Sequence, residues 1–313
     1  MKLLFIQLGR IGDMVLLTSA FKALKEKYPD SIIDVLAGRK NYQILKDNPK
    51  VNNIIIFNKS PFKLIQTISK ISKLKYDFYI DPKDHHSTEG RFIAGFVKSA
   101  KKIGFNGYKR KIFDISIPSD IENSGLHSIT RIFNSLKPLS ISIGETIPKP
   151  ELFTNSDSEE YVNSFLGENE IDKFILINLS AGSKSRMLSV EKWTELLNKI
   201  INENRSVLSF APAENEMAIE LSKSFNNLNL FQSRSINDVI SLVKKTKLLI
   251  TPNTSLVHIA SAFDTPIIAF YNSDDEDCRK FRALSSKQKV IFLSENMDDL
   301  KENEIENILS TER

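Results

Sequence analysis

Leu3-Leu4-Phe5-Ile6-Gln7-Leu8-Gly9-Arg10-Ile11-Gly12-Asp13 is the stretch on which the fold turns. An apolar run of strand length ends at Gly9, and the chain then enters the helix-patterned segment Met14 to Lys27. A carboxylate, Asp13, therefore stands where a buried strand hands over to a helix. In open α/β sheets ligands bind beyond the carboxyl ends of the strands, and glycines there let a substrate approach the backbone. Asp is also a common helix cap. Residue type alone leaves both roles open.

Outward from this point, strands and helices alternate. The first half predicts strands at 3–8, 32–36, 54–57 and 78–80, with helices at 14–27, 41–47 and 61–73 between them, a βαβ series. A helix at 88–98, a strand at 102–105 and a helix over about 125–136 follow. Pro148, Pro150 and the polar run Thr154-Asn155-Ser156-Asp157-Ser158 mark a linker. The second half repeats the rhythm, with strands at 174–179, 207–210, 228–230, 248–250 and 266–271 and helices at 190–202, 214–225, 235–244 and 255–263. The pattern is that of two doubly wound α/β domains facing across a cleft, each presenting its functional loops at strand carboxyl ends.

The 313 residues suit two domains, and the composition is that of an ordinary globular protein, 41% hydrophobic and 26% charged. The amino terminus lacks the apolar core and cleavage site of a signal peptide, and no apolar run is long enough to span a bilayer, so a cytoplasmic location is expected. A lone cysteine, Cys278, excludes an intrachain disulfide and a cysteine-based zinc site. The net charge of +4 is unevenly placed: residues 1–150 hold 25 Lys+Arg against 13 Asp+Glu, and residues 151–313 hold 18 against 26. A basic half points to an anionic partner, be it nucleic acid, lipid headgroup or phosphorylated glycan, unless Lys-rich composition alone accounts for it.

Three further loops carry readable chemistry. Ser180-Ala181-Gly182-Ser183-Lys184-Ser185-Arg186 brings small residues and cations just ahead of a helix, where backbone N–H groups and a guanidinium can cradle a phosphate. It has no Walker pattern, and a flexible basic surface loop is the alternative reading. Thr251-Pro252-Asn253-Thr254-Ser255 gathers polar donors at the start of a helix that carries His258, either a donor to a diphosphate or a satisfied half-buried imidazole. In Ala211-Pro212-Ala213-Glu214 a carboxylate follows a strand and could accept ribose hydroxyls. Asp274-Asp275-Glu276-Asp277 and the group Asp81, Asp84, His85, His86 read as solvated loops rather than metal sites.

Gly9 to Leu16, Ala181-Gly182-Ser183 through Arg186 to Glu191-Lys192-Trp193, and Thr251 to Ala260 followed by Thr265-Pro266-Ile267-Ile268-Ala269 occur in an order that resembles glycosyltransferase family 9, the ADP-heptose:lipopolysaccharide heptosyltransferases. The similarity runs over nearly the whole chain. It implies a GT-B fold, with an acceptor-binding Rossmann-like domain at 1–152, a nucleotide-sugar-binding one at 153–297, and a helix over about 298–313 that packs back on the first.

By position, Asp13 matches the family's catalytic base. Gly12, Ala181, Gly182, Ser183, Arg186, Glu214, Asn253, Thr254, Ser255 and His258 fall on its donor contacts, and Arg10, Lys59, Lys63 and Arg131 lie near its acceptor contacts. The implied reaction is an inverting, metal-independent transfer of heptose or a related sugar, with ADP-heptose the expected donor and a lipopolysaccharide or lipooligosaccharide core the expected acceptor. The nucleotide sugar is a substrate, so no cofactor is implied. The expected partners are the donor, an anionic glycolipid and the cytoplasmic face of the inner membrane, with no nucleic acid.

Two motifs depart from the family. Arg186-Met187-Leu188-Ser189 stands for Lys-Arg/His-Trp-Pro, and Asn253-Thr254-Ser255 for Asp-Thr-Gly. Asn keeps an acceptor oxygen but loses the charge, and Ser255 adds a Cβ. The alternative function is therefore a GT-B relative that binds nucleotide sugar or glycan with weakened or no transfer. A nucleic-acid-binding class finds no helix-turn-helix, zinc or RNP signature to support it.

Overall fold

Leu3 to Ile6 are buried on both faces because their strand is interior to a parallel sheet. The computed structural model describes residues 1–107, 111–182, 186–201, 205–272 and 275–293, and the chain divides into two units, Met1–Phe153 and Thr154–Arg313. In the first, strands β1 (Lys2–Gln7), β2 (Ile32–Gly38), β3 (Asn53–Phe57), β4 (Lys75–Ile80), β5 (Lys98–Gly104) and β6 (Ile115–Ser116) form one sheet in the order β3-β2-β1-β4-β5-β6. Every pairing is parallel. Helices α1 (Ile11–Lys27), α2 (Pro61–Lys73), α3 (Thr88–Ala94) and α4 (Ser128–Asn134) complete it. Phe5 of β1 meets Phe21 of α1 edge to face, with centroids 5.3 Å apart. Leu4, Ile6, Leu36, Ile55 and Tyr79 pack with Ile71 of α2 in a second cluster.

The second unit repeats the plan. Its strands are β7 (Ile175–Asn178), β8 (Ser206–Ser209), β9 (Leu228–Phe231), β10 (Leu248–Pro252), β11 (Ile267–Asn272) and β12 (Gln288–Leu293), in the order β12-β11-β10-β7-β8-β9 and again all parallel. Its helices are α5 (Ser156–Glu168), α6 (Val190–Ile200), α7 (Asn215–Lys223), α8 (Ile236–Lys245), α9 (Ser255–Phe263) and α10 (Asp275–Phe281). In both units the order reverses beside the first strand, which pairs with the second on one side and the fourth on the other. That is the doubly wound Rossmann arrangement.

Several elements differ from the sequence expectation. The first helix starts at Ile11 rather than 14, since Gly12 and Asp13 are its own first turn. The helix expected at 41–47 is a 3₁₀ turn at Tyr42–Leu45. The helix expected at 88–98 ends at Ala94, where the Gly95 N–H turns back to the Phe92 carbonyl, and Lys98 already pairs with Lys75. The polar run 154–158, read as linker, opens α5, with the Asn155 side chain accepting the Ser158 N–H at 2.8 Å. β6, α10 and β12 have no counterpart in the sequence reading. The helix expected at 298–313 lies outside the described residues. Among the described residues, no helix is long and apolar enough to cross a membrane.

Trp193 of α6 is fully buried against Phe270 of β11, with ring centroids 6.3 Å apart. Trp193→Ala should cost about 3–5 kcal/mol, the range for emptying a site of this size. Denaturant unfolding followed by circular dichroism should show one part of the transition moving to lower denaturant; an unmoved transition would mean the site collapses without loss.

Candidate active site

In the first unit the chain leaves β1 through a turn fixed by side chains. The Gln7 side chain accepts the Gly9 N–H at 3.0 Å. Asn41, fully buried after β2, donates to the carbonyls of Gln7 and Gly9, both at 3.1 Å, and accepts the Gly38 N–H at 2.9 Å. A Cβ on Gly38 would stand 2.9 Å from the Leu8 carbonyl oxygen, so the two loops can lie this close only with glycine there.

Asp13, in the first turn of α1 and half-buried, accepts the Arg10 backbone N–H at 3.0 Å through Oδ2. The capping role is thus real, and it uses one carboxylate oxygen. Gly9 preserves that arrangement, because a Cβ on it would come within 2.7 Å of the same Oδ2. Gly12 is buried one residue before Asp13, and Arg10 is exposed.

Asp81 and Asp84 follow β4, across the switch point from β1, and neither is solvated as the sequence reading had it. Asp81 is buried, and burial lifts its carboxyl to about 6, against partial relief from the Lys83 N–H at 3.2 Å and the charges of Lys83 and His85. Asp84 is buried too, bound to Arg131 Nη1 at 3.2 Å, Asn123 Nδ2 at 3.1 Å and His85 Nδ1 at 3.3 Å.

Arg131, expected near the acceptor contacts, is buried among these groups. It is 4% exposed, and its Nε also donates to the Leu126 carbonyl. With Asn123 and Asn134 it ties the loop after β4 to α4. Beside this network a cavity of about 800 Å³ opens between His85, His86, Phe105, Asp120 and Ile121. Lys59 and Lys63 are exposed at and just before α2, and Lys59 is paired with Glu89 at 2.7 Å, a contact that lowers the Glu89 pKa.

The second unit assembles its loops at the matching switch point, beyond β7 and β10. Buried Asn178 donates to Thr251 Oγ1 and to the Ser180 carbonyl, each at 2.9 Å, and so couples the two strand ends. Ser180 Oγ donates to Glu214 Oε2 at 2.8 Å, and the Ala211 N–H reaches the same carboxylate oxygen at 3.1 Å. Glu214 thus stands anchored after β8 by one oxygen. Thr254 caps α9, accepting the Leu256 N–H at 3.3 Å, with Ser255 opening the helix. Gly182 is exposed with open space where a Cβ would be, and Ala181 beside it is half-buried. Ser183 lies outside the described residues. His258 is buried in α9 at 6.0 Å from the Phe281 ring, closer to the core imidazole than to an exposed donor.

Arg186 and Asn253 meet on a residue read from sequence as part of a solvated acidic loop. Asp277 Oδ2 accepts from Arg186 Nη2 at 2.6 Å and from Asn253 Nδ2 at 3.0 Å. A carboxylate oxygen thereby sits on two donors from the loops after β7 and β10, where an anionic ligand of a doubly wound sheet is expected. Asp277 carried no sequence signal, because its partners lie 91 and 24 residues away. Among the described residues, no group of three His, Cys, Asp or Glu side chains is placed to hold a metal ion.

Two Rossmann-like units of this strand order make up the GT-B fold. The structure of Escherichia coli ADP-heptose LPS heptosyltransferase II superposes with a TM-score of 0.81 at 19% identity, covering 99% of this chain and 98% of that one. E. coli heptosyltransferase WaaC with ADP gives 0.81 at 17% identity over the whole of both chains. In sequence, E. coli lipopolysaccharide heptosyltransferase 2 is 25% identical over 322 residues, 94% of this chain and 88% of its own. The model of glycosyltransferase family 9 (heptosyltransferase) matches residues 63–310, and the chain belongs to that family.

Asp81 yields a pH test. Its carboxyl holds a proton to about pH 6 in the folded chain against 3.8 as its ordinary value, so the native state binds more protons in that window and stability falls as pH rises through it. The full effect is about 3 kcal/mol, present below the lower value and gone above the upper. Asp81→Asn removes the titration. The stability difference between wild type and variant should shrink or reverse from about pH 4 to pH 6 in denaturant titrations; a constant difference would show that Asp81 does not bind that proton.

Proposed function

We propose that this family 9 member moves a sugar, heptose or a related one, from a nucleoside-diphosphate donor to a lipopolysaccharide or lipooligosaccharide core-type acceptor with inversion at the anomeric carbon. The observation that carries the donor half is the pair Arg186 and Asn253, which already holds a carboxylate oxygen as it would hold a phosphate oxygen. Glu214 keeps a second carboxylate oxygen for ribose hydroxyls. Thr254 and Ser255 present the amino end of α9, whose dipole favours the leaving diphosphate. Gly182 leaves room for a ligand to lie against the backbone.

For the acceptor half, Asp13 takes the proton of the attacking hydroxyl through the oxygen that does not cap α1. The hydroxyl displaces the diphosphate at the anomeric carbon in one step, and Arg186 and the helix end take up the charge that develops on the leaving group. Fixed cations and dipoles make a metal ion unnecessary for this. Lys63 and Arg10 offer exposed cations to a phosphorylated acceptor, and Arg131 acts through Asp84 as a positioning residue for the loop after β4. The acceptor is membrane-borne, which places the protein at the cytoplasmic face of the inner membrane.

Asp13→Asn keeps an oxygen for the Arg10 N–H but cannot accept the proton. Turnover should fall by about 10² to 10⁴ with folding and donor binding nearly unchanged, measured by transfer assay and calorimetry. Wild-type turnover in this variant would reduce Asp13 to a cap.

One observation favours the weaker-transfer reading: Arg186 is already paired with Asp277, which would compete with a donor phosphate for it. Arg186→Ala should weaken ADP binding by about 1.5–3 kcal/mol while adenosine binding barely changes. Asp277→Asn should tighten ADP binding about two- to fivefold, the scale of a partly exposed ion pair. Weaker ADP binding in Asp277→Asn would show that the carboxylate holds the loop together instead.

A further inference from the structure

α2 buries one side and leaves a chemically distinctive one outside. Leu64, Thr67 and Ile71 turn toward the core of the first unit. Phe62 and Ile65, separated from those by about half a helical turn, are 71% and 67% exposed, the most exposed large apolar side chains of the first unit after Ile121. At 100° per residue Phe62, Ile65, Ser69 and Lys73 share the outward stripe, flanked by Lys63 and Lys70.

No acidic residue occurs in α2, and Lys63, Lys70 and Lys73 have no ion-pair partner among the described residues. The residues before it, Asn58-Lys59-Ser60, add one more lysine, and the half of the chain that carries the helix holds nearly two cations per anion. A core helix of an ordinary surface would put polar side chains where Phe62 and Ile65 stand.

We propose that the outward face of α2 is a membrane-docking surface, in which Phe62 and Ile65 enter the headgroup and acyl boundary of an anionic bilayer while Lys63, Lys70 and Lys73 remain among the phosphates. Charge complementarity selects this occupant. A second copy would bring the same unpaired lysines face to face, whereas an anionic leaflet neutralises them together and receives the two apolar side chains. Lysine stems also lie comfortably along an apolar boundary with their ammonium groups in water. The inference rests on the reading of the acceptor as a glycolipid, and gives that reading a specific surface: the helix that carries Lys63 is the one that would meet the leaflet.

The test uses the full-length protein and vesicles without lipopolysaccharide. Sedimentation with phosphatidylcholine vesicles containing phosphatidylglycerol should show binding that phosphatidylcholine alone does not support. Phe62→Ser with Ile65→Ser should lower the partition roughly tenfold or more, as should Lys70→Glu with Lys73→Glu, while ADP binding persists in both. Phe62→Trp should blue-shift its fluorescence only when anionic vesicles are added.

Absence of wild-type binding, or binding unaffected by the Phe62 and Ile65 changes, overturns the proposal. So does a Phe62→Trp signal already buried without lipid, or a change of oligomeric state in the serine variant, because either assigns the face to another part of the chain or to a second copy. Loss of ADP binding by the wild type would instead count against the transferase reading and leave the vesicle result standing.

Discussion

The arrangement depends on one constraint in each unit: the first strand hydrogen-bonds to a parallel neighbour on either side, and the connections that follow leave for opposite faces. Around β1 and β7 the backbone ladders are satisfied by β2 with β4 and by β8 with β10. The helices that diverge there cannot fill the space above the strand ends, so that space is lined by loops. What those loops hold is then settled by short side chains that pin backbone to backbone. Asn41 does this for the loop after β1, and Asn178 for the pair of loops after β7 and β10.

Asp13 shows how such a frame leaves one residue open to two roles. A carboxylate in the first turn of a helix is stabilised by the N–H groups around it, and here that stabilisation comes from the backbone of Arg10 through a single oxygen. The capping contact fixes the rotamer, and the fixed rotamer aims the remaining oxygen. Gly9 belongs to the same device, since any side chain there would press on the capping oxygen. A cap and a general base are therefore compatible descriptions of this carboxylate.

The sequence carries the architecture well and the electrostatics poorly. Buried parallel strands such as Leu3 to Ile6 and Ile175 to Asn178 announce themselves by continuous apolar runs, and α2 and α9 by their period. Lys98 to Lys101, which β5 adds ahead of the strand expected at 102–105, does not look like a strand, because what makes it one is pairing with β4 rather than its own composition. The polar opening of α5 is hidden for a different reason, since a linker-like run becomes a helix start only through the Asn155 cap, whereas β12 carries its own apolar run, Val290 to Leu293. Asp13, Arg186, Glu214 and Asn253 stand out in the sequence as candidates because each lies between a strand and the helix that follows it, or in that helix's first turn. Asp277, Asn41 and the burial of Asp81, Asp84 and Arg131 do not, since a carboxylate's environment depends on groups tens of residues away. Four acidic and imidazole side chains in six residues look like a wet loop until Arg131 and Asn123 close over Asp84, and His85 and His86 do stay exposed.

Asp277 has a bearing on how the cycle ends. If Arg186 and Asn253 take the donor's diphosphate as proposed, Asp277 yields them on binding and takes them back when the product leaves. Because donor and spent nucleotide carry the same diphosphate, the contest weakens both by a similar factor. What is lost in retention of the donor is recovered as easier escape of the product. In the proposed cycle the competition between donor and spent nucleotide is therefore left as it was, and what Asp277 changes is how quickly each is let go.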